Sequence, residues 1–355
     1  MSAEQLAEMA ESMGQPRFRG KQLRQGLFQG SRSVGGISTL PKAWREELSG
    51  GGWRTGRSVL HGEAGSRDGT RKFLLQLADG RVVETVGIPA DDDHGGRLTT
   101  CVSSQVGCPM RCTFCATGKG GFARNLEAHE IVDQVLTVQE EFGARVSNVV
   151  FMGMGEPLLN VPAVVEAVRV LNEEVGIGAR KITLSTVGVP NAIPRLAREK
   201  LQCTLAVSIH APNQRIREQI VPSARAYPID ALMADCYEYF RATGRRVSIE
   251  YTLLAGVNDS ADNAKELAAL LRRYSGSRKE GCWHVNVIPW NPVDESEFKR
   301  PSKGGVDLFV RVLKAHGVPV SVRITRGLEA AAACGQLRNM YQKDALPEGM
   351  ARELA

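Results

Sequence analysis

Two kinds of spacing of hydrophobic residues alternate along the chain from Thr99 onward. Short apolar runs predict buried strands, and these are Thr99–Ser103, Ser147–Phe151, Lys181–Ser185, Thr204–Ser208, Arg246–Tyr251 and His284–Ile288. Longer stretches with apolar residues at every third or fourth position predict helices, and these are Leu126–Phe142, Val161–Glu174, Pro190–Lys200, Ile229–Thr243 and Ala261–Tyr274. Strands and helices in alternation predict an α/β fold with a parallel sheet. Six such units fall short of the eight that close a full barrel, so we expect an open, partial (β/α)6 barrel.

The N-terminal part has a different pattern, which predicts a small accessory unit of helices and strands. The predicted helices are 22–30 and 40–48, and the predicted strands are 72–77 and 81–89. Asp79-Gly80 is a turn pair that predicts a hairpin between the two strands. The polar run from Asp91 to His94 predicts the boundary of this unit. The expected organisation is an accessory domain at 1–92, the barrel at 93–320 and a C-terminal tail at 321–355.

Composition and charge restrict the classes of protein to which the chain can belong. Of its 355 residues, 43% are hydrophobic and 24% charged, as is usual for a globular enzyme. The net charge of +6 is compatible with an RNA partner but does not require one. No apolar run reaches the length of a membrane span, and the acidic N-terminus is not a secretory signal. Eight cysteines without a secreted disulfide pattern favour a reducing compartment, so we expect a cytoplasmic protein, or an organelle stroma if the N-terminus has been trimmed.

Three cysteines, Cys108, Cys112 and Cys115, stand close together at C-x3-C-x2-C spacing. Four thiolates would close an iron–sulfur cluster, so three predict a cluster with one iron left open for a ligand. The alternative is a structural zinc site. Such sites normally use four ligands in two separated pairs, and no second pair follows at the usual distance. The spacing therefore favours iron–sulfur chemistry.

The same stretch carries a family resemblance. The three-cysteine spacing, with Phe114 before the last cysteine, resembles the signature of radical S-adenosylmethionine (SAM) enzymes. The strings Cys101-Val-Ser-Ser-Gln-Val-Gly-Cys108 and Gly121-Phe-Ala-Arg-Asn-Leu126 resemble one subfamily, the RlmN/Cfr adenosine methyltransferases of ribosomal RNA. The resemblance implies a partial radical-SAM barrel and a [4Fe-4S] cluster held by the three cysteines. It also implies two SAM molecules per turnover, one as methyl donor and one as radical source.

Polar or glycine-rich residues follow most of the predicted strands, where a parallel sheet places its active site. Gly155-Glu156 follows the second strand and resembles the motif that binds the amino group of SAM. A lone histidine at a strand end is more often structural than catalytic. By resemblance, the SAM contacts are Gly155, Glu156, Ser185, Ser208, Ile209, His210 and Asn291.

The C-terminal string Ala332-Ala-Cys-Gly-Gln-Leu337 contains Cys334 between small residues. A free cysteine in such a setting is most often a small buried apolar residue. The string resembles the RlmN/Cfr tail, however, and this implies that Cys334 carries the methyl group. Cys101 then corresponds to its disulfide partner. Glu84, in the string Glu84-Thr-Val-Gly-Ile-Pro89, corresponds to the family's proton acceptor.

The activity implied is methylation of carbon 2 of an adenosine in 23S rRNA, at the peptidyl-transferase centre, with adenosine 37 of tRNA as a second candidate substrate. We expect an S-methylcysteine intermediate and a Cys101–Cys334 disulfide that an external reductant resets. We also expect a reducing electron donor such as flavodoxin or ferredoxin as a partner, and a monomeric enzyme. The basic residues Arg17, Arg19, Lys21 and Arg24, and Arg323, Arg326 and Arg338 near the tail, are hypothetical RNA-backbone contacts.

Three alternatives remain at this stage. The first is Cfr-like methylation of carbon 8 of the same adenosine, which confers antibiotic resistance. The second is a non-catalytic iron–sulfur or zinc module that binds RNA, which would have no use for Cys101 and Cys334. The third is a radical-SAM enzyme of another reaction type, which would share the three-cysteine loop but lack the sequence context of those two cysteines.

Overall fold

A computed structural model describes residues 1–90, 96–275, 281–294 and 296–338. Its strands are β1 (Val59–Gly65), β2 (Arg71–Gln76), β3 (Val82–Pro89), β4 (Leu98–Cys101), β5 (Gln105–Gly107), β6 (Phe122–Asn125), β7 (Asn148–Phe151), β8 (Ile182–Thr186), β9 (Thr204–Ser208), β10 (Val247–Leu253), β11 (Trp283–Pro289) and β12 (Val320–Val322). Its α-helices are α1 (Ala3–Ser12), α2 (Phe18–Phe28), α3 (Lys42–Gly50), α4 (Ala116–Lys119), α5 (Ala128–Phe142), α6 (Val161–Glu173), α7 (Ala192–Arg198), α8 (Gln214–Ile220), α9 (Ile229–Thr243), α10 (Ala261–Arg273) and α11 (Lys303–Ala315).

One open sheet organises the described chain. Its strand order is β1-β2-β3-β4-β7-β8-β9-β10-β11-β12, and the strands from β4 onward are parallel. The six predicted strands correspond to β4, β7, β8, β9, β10 and β11, so the expected open α/β barrel is confirmed. The sequence did not predict β12, because only three residues of it pair with the sheet.

The N-terminal part joins the barrel through the sheet. The hairpin of β2 and β3 was predicted, and β3 continues the sheet by pairing antiparallel with β4, Val86 opposite Cys101. Helices α1 to α3 have a core of their own, in which Trp44 and Leu48 are fully buried. The predicted boundary at residues 92 and 93 lies outside the described residues.

Helices pack over the sheet because their apolar faces match those of the strands. In α5, Ile131, Val135 and Val138 are fully buried, as the spacing predicted. They belong to the main hydrophobic core, which includes residues of β7 to β11 and of α6, α9 and α10. The carboxyl ends of the parallel strands meet at one edge of this core, where the polar residues of the site lie. No helix in the described ranges is both long and apolar enough to cross a membrane.

The contact between α1 and α2 depends on a small residue. A Cβ atom at Gly20 would lie 2.5 Å from the backbone nitrogen of Ala7. We therefore expect Gly20→Ala to reduce the free energy of unfolding by about 1–3 kcal/mol, because the helices must separate to make room. Urea denaturation followed by circular dichroism measures this.

Gly50→Ala is the matched control, because an added Cβ there meets nothing within 4 Å. Alanine in an exposed helix should raise stability by at most about 1 kcal/mol. Equal destabilisation by both substitutions would contradict the packing argument.

Candidate active site

A cavity at the carboxyl edge of the parallel strands contains most of the predicted site residues, and we call it the inner cavity. Those that line it are Cys108, Cys112, Cys115, Gly155, Glu156, Ser185, Ser208, His210, Asn291 and Cys334. Cys101, Glu84 and Ile209 do not line it. The residues predicted to bind the cluster and those predicted to bind SAM therefore share one space, together with the predicted methyl carrier.

The three-cysteine loop lies between β5 and α4 and is held at both ends. The backbone N–H of Cys108 donates to the carbonyl of Gly121, 2.8 Å away, and the N–H of Cys115 donates to the carbonyl of Cys112. In between, the N–H of Thr113 donates to the carbonyl of Ile220 at the end of α8. These bonds fix the loop without using any of its thiols.

The chemistry of these three thiols fits an iron–sulfur cluster. Burial raises the pKa of Cys108 to about 12 and raises the pKa of Cys112 well above its usual value, and the charge of Cys115 raises both. Such a group of thiols is stabilised when iron replaces their protons. Within the described ranges, no three His, Cys, Asp or Glu side chains converge on a single metal ion. The three thiols nevertheless line one cavity, as residues that hold a cluster together would.

Glu156 presents a buried carboxylate to the same cavity. One carboxylate oxygen accepts the N–H of Leu158 and the other accepts the N–H of Val187, both at 2.9 Å. Burial raises the pKa of Glu156, while the hydroxyl of Thr186 and these two N–H groups oppose the rise. Gly155 precedes it at φ 105°, a conformation that favours glycine, and turns the chain so that Glu156 enters the cavity. A cationic amino group is a suitable partner for this carboxylate.

His210 is neutral and fixed in one tautomer. Burial, with a smaller effect from the charge of Arg217, lowers its pKa to about 3. Its Nδ1 accepts the backbone N–H of Thr252 at 3.0 Å, so the proton of the neutral ring is on Nε2. The ring of Phe114, from the cysteine loop, meets it edge-on at 4.8 Å between centroids. His210 therefore supplies a hydrogen-bond donor and a flat surface rather than a charge.

The remaining predicted SAM contacts fall into two groups. Ser185, Ser208 and Asn291 line the inner cavity, at the ends of β8, β9 and β11. The side chain of Ile209 lies instead in the main hydrophobic core, and its backbone N–H donates to the carbonyl of Glu250. If Ile209 contacts a ligand, it must do so through its backbone.

Cys334 lies where the inner cavity meets a second one. This outer cavity is lined by Cys101, Cys334 and Asn291, and also by Arg97, Arg323 and Arg326. Cys334 is exposed and Cys101 is buried. Burial and, to a smaller extent, the charge of Cys334 raise the pKa of Cys101 to about 12, although the charge of Arg323 opposes the rise. The two cysteines thus line the same cavity, although they lie far apart in sequence.

Three hydrogen bonds hold the tail in this position. The side-chain amide of Asn291 donates to the carbonyl of Cys334 at 3.1 Å. From α4, the N–H of Ala116 donates to the carbonyl of Gly335 at 2.8 Å, and the hydroxyl of Thr117 donates to that of Leu337 at 2.6 Å. The cysteine loop and the tail are therefore directly connected.

Glu84 lies apart from both cavities. It is 2% exposed, pairs with Lys72 at 3.5 Å and accepts the backbone N–H of Arg338 at 3.1 Å. Burial raises its pKa, and the charge of Lys72 opposes the rise. In this conformation Glu84 anchors the end of the tail and faces neither lined space.

Two further residues of the site were not predicted in the roles that they have. Glu250, in β10, is buried at the inner cavity, where it accepts the amide of Asn286 at 2.8 Å. Arg323, a predicted RNA-backbone contact, also pairs with Glu250 at 3.2 Å, and its charge acts on both Cys101 and Cys334. A glutamate within the otherwise apolar and hydroxyl-bearing strand Val247–Leu253 was the signal that could have revealed this pair.

The basic residues near the N-terminus are largely engaged within the protein. Arg17 pairs with Glu4 and Glu11, and Arg24 pairs with Glu174 at 2.8 Å. Their role in RNA binding stays a prediction, and these ion pairs would have to exchange for phosphates.

The difference in exposure between Cys101 and Cys334 can be measured through their rates of alkylation. At pH 8 we expect iodoacetamide to modify Cys334 at least about 100-fold faster than Cys101, because the thiolate is the nucleophile and Cys101 is buried as a thiol. Peptide mass spectrometry of unmethylated protein gives both rates. Cys334→Ser should accelerate the modification of Cys101, since a neighbouring charge is removed; similar rates for both cysteines in the unsubstituted protein would contradict the arrangement.

Comparison with known proteins places this arrangement in a family. The Radical SAM superfamily model matches residues 102–268. The chain is 56% identical to the probable dual-specificity RNA methyltransferase RlmN of Synechocystis sp., covering 95% of this chain and 93% of that protein. It is 58% identical to the protein of the same name from Gloeobacter violaceus, with the same coverage.

A solved structure agrees over nearly the whole chain. The crystal structure of a radical SAM methyltransferase from Sphaerobacter thermophilus matches with a TM-score of 0.87 and 43% identity, covering 95% of this chain and 98% of that one. Radical SAM enzymes carry a [4Fe-4S] cluster and use SAM, and the inner cavity has the donors that both require. The chain therefore belongs to the RlmN family of radical SAM RNA methyltransferases.

Proposed function

We propose that the protein methylates carbon 2 of an adenosine in 23S rRNA and that adenosine 37 of tRNA is a second substrate. The observation that carries the proposal is the position of Cys334, which lines both the cavity with the three clustered cysteines and the cavity that contains Cys101. The names of the relatives support the RNA methyltransferase activity. The choice of carbon 2 and of these RNAs rests on the sequence resemblance.

The inner cavity divides its ligands between two groups of residues. Cys108, Cys112 and Cys115 hold the cluster in this proposal, while the carboxylate of Glu156 binds the amino group of SAM. The remaining SAM contacts are Gly155, Ser185, Ser208, Ile209 through its backbone, His210 and Asn291. When bound, the cluster and SAM supply the methyl group and the hydrogen-abstracting radical that an unreactive aromatic carbon requires.

Cys334 carries the methyl group as a thioether in this proposal. An adenine carbon of this kind is electrophilic and does not attack a methyl donor directly, so a covalent carrier divides the reaction into easier steps. Methylation also changes the surroundings of Cys101. A thioether has no charge, so methylated Cys334 no longer raises the pKa of Cys101, while Arg323 still lowers it. Cys101 is thus more easily ionised when its partner is loaded.

Release of the product requires the second cysteine. The thiolate of Cys101 attacks the sulfur of Cys334, and the bond between that sulfur and the carbon attached to the adenine breaks. The electron pair goes to that carbon, which takes up a proton and becomes the methyl group. The two cysteines are left as a disulfide, and an external donor such as flavodoxin or ferredoxin returns two electrons.

Glu84 is the proposed acceptor of the proton that leaves the adenine carbon. The raised pKa of Glu84 suits a proton acceptor. Because it now accepts the N–H of Arg338 at the end of the tail, the tail would have to shift before Glu84 could reach the base.

The outer cavity is the proposed entry for the RNA base. Arg97, Arg323 and Arg326 line it, and the exposed side chain of Ile324 stands at the same place. Cations suit phosphates, and an apolar side chain suits the face of an unstacked base. A base must leave its stack to arrive there, which is easiest in a loop or in tRNA. We propose that the enzyme acts as a monomer in the cytoplasm, where these RNAs are found.

The first test uses anaerobically reconstituted protein with SAM, a reductant and a fragment of 23S rRNA. Mass spectrometry of the digested RNA should show 2-methyladenosine, and Cys334→Ala should reduce it by at least about 1,000-fold, because the carrier is lost. A product of 8-methyladenosine would transfer the assignment to carbon 8, the Cfr-like alternative. SAM cleavage without any methylated base would contradict the RNA substrate.

The Cys101→Ala variant separates the step in which Cys334 carries the methyl group from the step in which the methylated RNA is released. Because this variant keeps Cys334 but lacks the attacking thiol, we expect RNA to remain covalently bound to the protein and less than about 1% of normal turnover. Gel electrophoresis under denaturing conditions detects the adduct. Cys282→Ala, at a buried cysteine outside both cavities, is the matched control and should release product normally.

The binding of SAM should depend on pH through Glu156. Only the ionised carboxylate attracts the amino group, so affinity should fall as the pH falls through the raised pKa of Glu156. Glu156→Gln should weaken binding by about tenfold or more at pH 8 and flatten this dependence. Anaerobic equilibrium dialysis with labelled SAM gives the affinities. Glu173→Gln, an exposed position on α6, serves as the control; the same pH profile in Glu156→Gln and wild type would exclude Glu156 as the responsible group.

A further inference from the structure

Arg217, in α8, is an arginine buried almost completely beside the three-cysteine loop. Its side chain is 1% exposed. One terminal nitrogen donates to the carbonyls of Ser208, at 3.0 Å, and Ile209, at 2.6 Å, and the other donates to the carbonyl of Val187 at 2.5 Å. Its Nε has no hydrogen-bond partner among the described residues. The guanidinium is therefore held rigidly by the backbone at the ends of β8 and β9.

The hydrogen bonds of this guanidinium go to backbone carbonyls, and none goes to a carboxylate among the residues that the structure describes. Burial lowers the pKa of Arg217 to about 10, and the groups whose charge acts on it are Cys112, Cys236 and Tyr227. Burial raises the pKa of Cys236 and of Tyr227, so both are neutral at physiological pH. Arginine is almost never buried without a partner, because an unpaired charge loses its hydration.

Val187 and Ser208, whose carbonyls accept hydrogen bonds from Arg217, line the inner cavity together with the three clustered cysteines. The guanidinium therefore lies against the lining of the cavity that holds the cluster in this proposal. The structure also fixes Arg217 relative to the loop. The carbonyl of Ile220, in the last turn of the same helix, accepts the N–H of Thr113, the residue that follows Cys112. Because these hydrogen bonds fix the guanidinium of Arg217, it cannot move away when the charge of the cluster changes.

We propose that Arg217 is the internal counter-charge of the iron–sulfur cluster and that it raises the cluster's reduction potential. The proposal rests on the assignment of the cluster to Cys108, Cys112 and Cys115 made above. Reduction adds one electron and no proton, so the reduced cluster carries one more negative charge than the oxidised cluster. A fixed cation in a buried, weakly screened place stabilises the reduced form more than the oxidised form.

The test measures the reduction potential of the anaerobically reconstituted protein without RNA, by a titration followed by electron paramagnetic resonance. Arg217→Gln should shift the equilibrium toward the oxidised cluster about tenfold, which for a one-electron couple lowers the potential by about 59 mV. Arg217→Lys keeps the charge and should restore at least half of the shift. Arg225→Gln, an exposed arginine close in sequence, removes the same charge from the surface and should leave the potential unchanged.

Cluster loading and folding provide the second measurement. If Arg217→Gln folds but does not bind iron while Arg217→Lys does, the charge is required and the proposal is supported. An unchanged potential in Arg217→Gln, or failure of the apoprotein to fold with either substitution, would mean that Arg217 only braces the backbone and would overturn the proposal. Because no RNA takes part, failure here is distinct from failure of the methylation assay.

Discussion

The hydrogen bonds between the cysteine loop and the tail are the constraint on which the site depends. Ala116 and Thr117 follow the last clustered cysteine, and they bind the carbonyls of Gly335 and Leu337. Loop and tail are separated by more than two hundred residues, yet these bonds place Cys334 at the edge of the inner cavity. Cys334 therefore lines both cavities, which is the position that the proposed methyl carrier needs in order to meet both a donor and an acceptor. The parallel sheet contributes the frame, since its strands deliver the other polar groups to the same edge.

Three buried charged side chains are stabilised in three different ways. Glu156 is stabilised by backbone N–H groups, Glu250 by Arg323, and Arg217 by carbonyls alone. The first two arrangements satisfy an anion from within the chain. The third leaves a cation without an ion-pair partner among the described residues, and this asymmetry is the basis of the role proposed for Arg217.

The sequence predicted the fold well because the spacing of apolar residues along each strand and helix reflects which of its faces is buried. The six strands of the barrel and helices such as α9, Ile229–Thr243, matched their apolar patterns closely. The sequence failed where a feature depends on distant residues: β12 is defined by its pairing with β11, and the partnership of Arg323 with Glu250 joins positions that no local pattern connects. The cysteine loop was recognisable since its ligands are close in sequence. Glu84 was identified by its surrounding string, but a string cannot tell which way a side chain faces, and here it holds the tail.

The inner and outer cavities share four lining residues, Cys334, Asn291, Met152 and Ile288. A ligand that shifts any of these four side chains alters the space on the other side. Thermodynamic linkage is reciprocal. If bound RNA changes the affinity for SAM by some factor, bound SAM changes the affinity for RNA by the same factor. In the proposed arrangement, with SAM in the inner cavity and RNA in the outer one, these four shared side chains would couple the binding of the two substrates.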